Sequence, residues 1–315
     1  MYIDTIFLFI IASIALVISG NWAVKFISRL SSIFKISHFS IGFIIVAFTT
    51  SVPELFVGIS SAIAKTPSIA LGNVIGANIL DLTLVIAIAS LLGGGMKIQS
   101  KTLKRDSILM FLVALAPIVL MVFDENLSRA DGIILILIFI YYSWHIMDKR
   151  KEYEKTPNYK KYDLIMTILL FFGSMIILFI SSRFVVNLGV EIAKLIAIPP
   201  IMIGLFLIAL GTTLPELVLN IQSVLKKNPD LAAGNSMGSV VCNSSLVLGV
   251  TALINPIKNS FQIFFTSTIF LIVICLLFIF FIRRKRGLSV PQSVFLILFY
   301  IIFILFEFFF KLKIG

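Results

Sequence analysis

The chain has 315 residues, of which 59% are hydrophobic and only 13% charged, with a mean hydropathy of +1.10. That balance excludes a soluble domain, and recurring apolar runs of about 20 residues imply a polytopic, all-α membrane protein. A β-barrel would show short alternating segments instead, and these runs do not alternate.

Ten spans are read near residues 3–24, 39–64, 68–94, 107–123, 130–147, 164–182, 199–225, 231–254, 261–282 and 289–310. The first 20 residues lack a basic leader and carry Asp4, so they read as a first transmembrane helix rather than a signal peptide. The net charge of +11 is topological: the connections between spans 1–2, 3–4, 5–6, 7–8 and 9–10 hold 19 of the 26 Lys and Arg. The positive-inside rule makes that side cytoplasmic, puts both termini outside and removes the case for a nucleic-acid partner. The polar stretch DKRKEYEKTPNYKKYD, 148–163, is then a cytoplasmic connector between halves 1–147 and 164–315.

Five spans per half is an odd number, so a duplicated second half must enter the membrane inverted. Residues 42–86 align without gaps to residues 204–248, at a constant offset of 162, with 16 of 45 positions identical. The shared residues include Thr50/Thr212, Pro53/Pro215, Glu54/Glu216, Gly72/Gly234, Asn73/Asn235 and Gly76/Gly238. Inverted repeats with interrupted helices at matching places point to the binding site of a secondary transporter.

Within the second span, FTTSVPELFV sets a proline beside a glutamate where lipid should tolerate neither. The three acids placed deepest by this reading are Glu54, Asp81 and Glu216. Each costs roughly 2.5–3.5 kcal/mol or more at the bilayer centre unless paired or hydrated. No Lys or Arg falls deep in a span to neutralise them, so the partner is an external cation or a proton. Pro53 and Pro215 should free backbone carbonyls within their helices. Thr50 and Ser51 precede Glu54 by four and three residues, as Thr212 and Thr213 precede Glu216, which puts hydroxyls on each carboxylate's helical face. Such oxygens suit Ca²⁺ or Na⁺. The glycine pairs Gly72/Gly76 and Gly234/Gly238 let helices approach closely and lead to Asp81 and Asn243, matched by the same offset. Cys242 and Cys275 read as buried thiols, His38 and His145 are too isolated for a metal pair, and the Phe-rich run at 261–282 reads as lipid-facing bulk.

With TTSVPEL and GNVIGANILDL in one half and GTTLPEL and GNSMGSVVCNS in the other, the chain resembles the calcium/cation antiporter superfamily, most closely the compact prokaryotic sodium/calcium exchangers. The resemblance implies exchange of Ca²⁺ against several Na⁺ by alternating access, with the first and sixth spans sliding across the core. It implies Ca²⁺ ligation by Glu54 and Glu216 with oxygens from Thr50 and Thr212. Flanking Na⁺ sites would use Ser51, Thr213 and Ser239 and the main-chain carbonyls of Ala47 and Ala209, and Asp81 and Asn243 would complete the middle. Two departures stand out: the resembled family carries the amide in the first repeat and the aspartate in the second, and Ala77 stands opposite Ser239.

The expectation is a Ca²⁺ exporter driven by Na⁺ in a prokaryotic plasma membrane, with no cofactor and no obligate protein partner. A Ca²⁺/H⁺ antiporter is the alternative, and a passive cation channel is disfavoured by the inverted repeat. An enzyme is disfavoured because H-E-x-x-H is absent and the chain holds only two His.

Overall fold

The computed structural model describes residues 2–33, 48, 50–148, 161–196, 198–258, 261–284 and 287–311. These residues are almost entirely helical, as a lipid environment requires of backbone whose N–H and C=O groups find no water. In chain order the helices are α1 (Tyr2–Ile33), α2 (Val52–Ile63), α3 (Ser68–Leu92), α4 (Lys101–Asp124), α5 (Arg129–Asp148) and α6 (Lys161–Leu195). They continue with α7 (Pro200–Thr212), α8 (Leu214–Leu225), α9 (Pro229–Ile254), α10 (Phe261–Arg284) and α11 (Val290–Lys311). Among the described residues eight helices are long and apolar enough to cross a membrane, or nine when the bent pair α7–α8 counts as one span. The expected second span falls partly outside the described residues, and α2 is its described portion.

The centre of the molecule is α3 with α9. Their apolar windows are 83% and 78% buried, against 22–50% in the other membrane-length helices. Both are interrupted by a widened π turn, Asp81–Val85 in α3 and Asn243–Val247 in α9. A hydroxyl intrudes on the helical ladder at each place: Thr83 donates to the Ile79 carbonyl and Ser245 to the Val241 carbonyl, both at 2.5 Å. Such insertions widen a helix locally and are frequent at functional sites.

Small residues set the depth of packing. A Cβ added to Gly72 or Gly76 of α3 would run into the backbone carbonyls of Ile201 and Leu205 in α7, and one on Gly204 into that of Ile69. Backbone cannot swing aside as a side chain can, so Gly76→Val costs on the order of several kcal/mol. The expected result is loss of the monodisperse peak on size-exclusion chromatography of detergent extract; a normal peak at wild-type yield would contradict this close approach.

Around this centre α1 and α6 pack against each other along their length, through Phe9, Leu16, Leu178, Val185 and Val186. Gly20 of α1 lies where a Cβ would come 3.0 Å from Pro53 Cγ and 3.9 Å from Pro215 Cγ. Two short antiparallel ribbons tie connections together, Met96–Lys97 with Gly287–Leu288 and Asn126–Leu127 with Ile257–Lys258. The Phe-rich α10 corrects its expectation, because one face is buried at Phe264, Ile274, Cys275 and Phe278. Both cysteines are buried, as expected.

Candidate functional site

The prolines do not interrupt a helix midway. Each sits in the first turn of a new one, where a missing N–H is harmless. Ser51 (φ −81°, ψ 5°) precedes α2 and Thr213 (φ −82°, ψ 0°) precedes α8, and α8 leaves α7 at 41°. Glu54 and Glu216 therefore fall in the first turns of α2 and α8, where the exposed N–H groups of a helix start favour negative charge. The break also corrects the expectation that Thr50 and Ser51 share a continuous helical face with Glu54, as Thr212 and Thr213 would with Glu216.

The threonines instead cross between the halves. Thr50 Oγ1 donates to Asn235 Oδ1 at 3.2 Å and Thr212 Oγ1 to Asn73 Oδ1 at 3.2 Å. The offset of 162 maps one bond onto the other, so each helix break is fastened to the central helix of the opposite half. The Thr212 hydroxyl approaches Glu54 and the Thr50 hydroxyl approaches Glu216, with their protons directed to the asparagine carbonyls. Thr50 also lies 3.3 Å from Ser239 Oγ. Asn235 Nδ2 donates to Asn220 Oδ1 at 3.0 Å; the first half has Gly58 at the position of Asn220, and Asn73 Nδ2 has no hydrogen-bond partner.

Glu54, Asp81, Glu216 and Asn243 are fully buried. Both carboxylate oxygens of each acid, together with Asn243 Oδ1 and Ser51 Oγ, have no hydrogen-bond partner. The acids share one neighbourhood: Glu54 and Asp81 repel each other, and Glu216 feels both. Ser-x-x-Glu and Thr-x-x-Glu commonly form a cap in which both side chains bind helix N–H groups, but neither Ser51 nor Thr213 makes a side-chain cap bond. Among the described residues no three His, Cys, Asp or Glu side chains close into a cage able to hold a metal alone. A cation at this centre therefore needs neutral oxygens beside the carboxylates, which the chemistry of Ca²⁺ accommodates.

The other expected residues are placed as follows. Thr213 Oγ1 donates to the Ala209 carbonyl at 2.9 Å, and Thr212 Oγ1 reaches the same oxygen at 3.3 Å. The Ala209 carbonyl thus accepts from the Thr213 hydroxyl and, at 3.0 Å, from the Thr213 backbone N–H, while the single Thr212 proton is shared between it and Asn73 Oδ1. Ser239 is buried beside Thr50, and Ala47 and His38 lie outside the described residues. A further acid escapes the sequence reading: Glu307 of α11 is fully buried. It accepts from Thr266 Oγ1 at 2.6 Å and from Ser267 Oγ, both on α10. Those hydroxyls lie in the phenylalanine-rich run and give no signal of their purpose in one dimension.

The model of the family described as sodium/calcium exchanger protein matches residues 5–147 and 166–309. The chain is 31% identical to the inner membrane protein YrbG of Escherichia coli, over 79% of each chain. It is 32% identical to the putative antiporter CaxA of Alkalimonas amylolytica, over 81% of this chain and 82% of that one. With the sodium/calcium exchanger MaX1 of Methanosarcina acetivorans it shares 27% identity over 95% and 97%. A solved structure of the sodium-calcium exchanger NCX_Mj, soaked with Na⁺ and Sr²⁺, superposes with a TM-score of 0.68 at 24% identity, covering 96% of this chain and 99% of that one; at that identity it speaks for the fold. Matched over nearly its whole length, the chain belongs to the sodium/calcium exchanger family, whose members are ion exchangers rather than enzymes and bind their cargo without a cofactor.

Proposed function

We propose that the protein exports Ca²⁺ from the cytoplasm in exchange for inward Na⁺, by alternating access. The observation that carries this reading is the set of unpartnered acidic oxygens on Glu54, Asp81 and Glu216, sealed at the centre beside Asn243 Oδ1. Buried charge without a partner is strongly unfavourable, so such a centre is stable only when loaded. In this reading Thr50, Thr212, Ser51, Thr213 and Ser239 supply neutral oxygens and the Ala209 carbonyl serves flanking Na⁺; Ala47, assigned the same role, lies outside the described residues. Ca²⁺ and the Na⁺ set compete because they share carboxylates, and either load neutralises the centre enough for α1 and α6 to move across it. A ligand shifts that equilibrium only by binding the two states differently.

The chain is organised as two inverted five-span halves, 1–147 and 164–315, joined by the cytoplasmic connector 148–163. It resides in a prokaryotic plasma membrane with both termini outside. The decisive experiment reconstitutes the purified protein in liposomes and imposes a Na⁺ gradient and a pH gradient separately. Ca²⁺ uptake driven by outward Na⁺, unchanged when the pH gradient is collapsed, is the expected result. Uptake that follows pH alone would make H⁺ the counter-ion, and Ca²⁺ flux that needs neither gradient would make the protein a channel.

A further inference from the structure

Asp81 and Asn243 hold equivalent places in the two halves, yet they differ in one physical respect. An ionised carboxylate accepts through either oxygen, whichever way it turns. An amide accepts on one side and carries two donor N–H groups on the other. Asn243 can therefore face a cation only when its rotation is fixed with Oδ1 toward the ion.

The structure contains a device for this. Asn243 Nδ2 donates to Asn78 Oδ1 at 3.2 Å, and Asn78 Nδ2 donates to Ser244 Oγ at 2.8 Å. All three side chains are buried. The bonds run in one direction, so the amide nitrogen of Asn243 is held by the opposite half while its Oδ1 stays without a hydrogen-bond partner. Reversed, Asn243 would aim its N–H groups where the neighbouring carboxylates invite a cation. The other half has no equivalent, because the repeat mate of Asn78 is Val240, and Asp81 needs no such orientation.

We propose that Asn78 is a positioning residue that clamps Asn243 with its carbonyl oxygen toward the transported cation. This rests on the cation reading above. Its test is a double-mutant cycle on full-length protein in detergent and in proteoliposomes. The first readout is the Ca²⁺ concentration that half-saturates thermal stabilisation, and the second is KM against maximal rate for Ca²⁺ exchange.

Asn78→Val, sized on Val240, is expected to raise half-saturating Ca²⁺ and KM about tenfold while the maximal rate stays within about twofold. With aspartate at 243 (Asn243→Asp, alone or with Asp81→Asn) orientation no longer matters. There the same substitution is expected to change half-saturation less than about twofold. Equal losses in both backgrounds, or no loss in either, overturn the proposal. Ser244→Ala removes the anchor of Asn78 without touching it; it is expected to follow the same pattern and decides the matter should Asn78→Val fail to fold. A wild-type protein with no Ca²⁺-dependent stabilisation overturns the cation reading and this proposal together, whereas a responsive wild type with equal losses overturns the proposal alone.

Discussion

Glu54→Gln and Glu216→Gln each abolish Ca²⁺ exchange while leaving a folded protein that melts higher than wild type when no ions are present. The two halves of that expectation have one cause. Each glutamate is fully buried and neither of its oxygens has a hydrogen-bond partner, so without cargo it destabilises the fold, and an amide of the same shape relieves the strain of desolvated charge. With cargo, the substitution removes a charged ligand. Losing one member of a buried ionic contact costs on the order of 3 kcal/mol or more, at least a hundredfold in Ca²⁺ affinity. Ca²⁺ flux into proteoliposomes and thermal unfolding with and without Ca²⁺ read both effects. Near-normal flux in either variant would remove that glutamate from the cation centre.

Asp81→Asn is expected to lower Ca²⁺ exchange by a similar factor, about a hundredfold, and adding Asn243→Asp is expected to bring it back to within about tenfold of wild type. The reasoning is that Glu54, Asp81 and Glu216 act on one another, so a cation among them responds to their total charge. Which half supplies the third carboxylate matters less, because unscreened fields at short range reach across the centre. The residual deficit comes from the amide, which at position 81 lacks the Asn78 clamp. Flux and Ca²⁺ dependence measured on the single and double variants decide this. A double variant no better than Asp81→Asn would show that the exchanged aspartate and asparagine are not interchangeable partners in one centre.

Much of this was legible in one dimension, for a physical reason. Acids in lipid are so unfavourable that Glu54, Asp81 and Glu216 announce themselves, and the constant offset between the two motif-bearing stretches points to related local folds. The offset recurs in the coordinates, in the π turns at Asp81–Val85 and Asn243–Val247 and in the left-handed Lys65 and Lys227, both at φ 60°. What the sequence concealed depends on the third dimension. Pro53 and Pro215 read along the chain as prolines within helices, and only the turns at Ser51 and Thr213 show that each stands at a helix start. Thr50 is counted with Glu54 along the chain but fastens to Asn235 in space. Asn78 is invisible to repeat comparison because its mate is a valine, and Glu307 hides near a helix end, its hydroxyl partners on a neighbouring helix.

Gly20 carries one last implication. On α1 it faces the rings of Pro53 and Pro215, which begin the two acidic helices: a Cβ there would be tight against Pro53 Cγ at 3.0 Å and in ordinary contact with Pro215 Cγ at 3.9 Å. A methyl there crowds Pro53 first, and only a larger side chain presses on Pro215 as well, so α1 is a shared but unequal neighbour of the two helix starts. The two half-sites thus lean on one point of α1, and a bulky defect there reaches the first before the second.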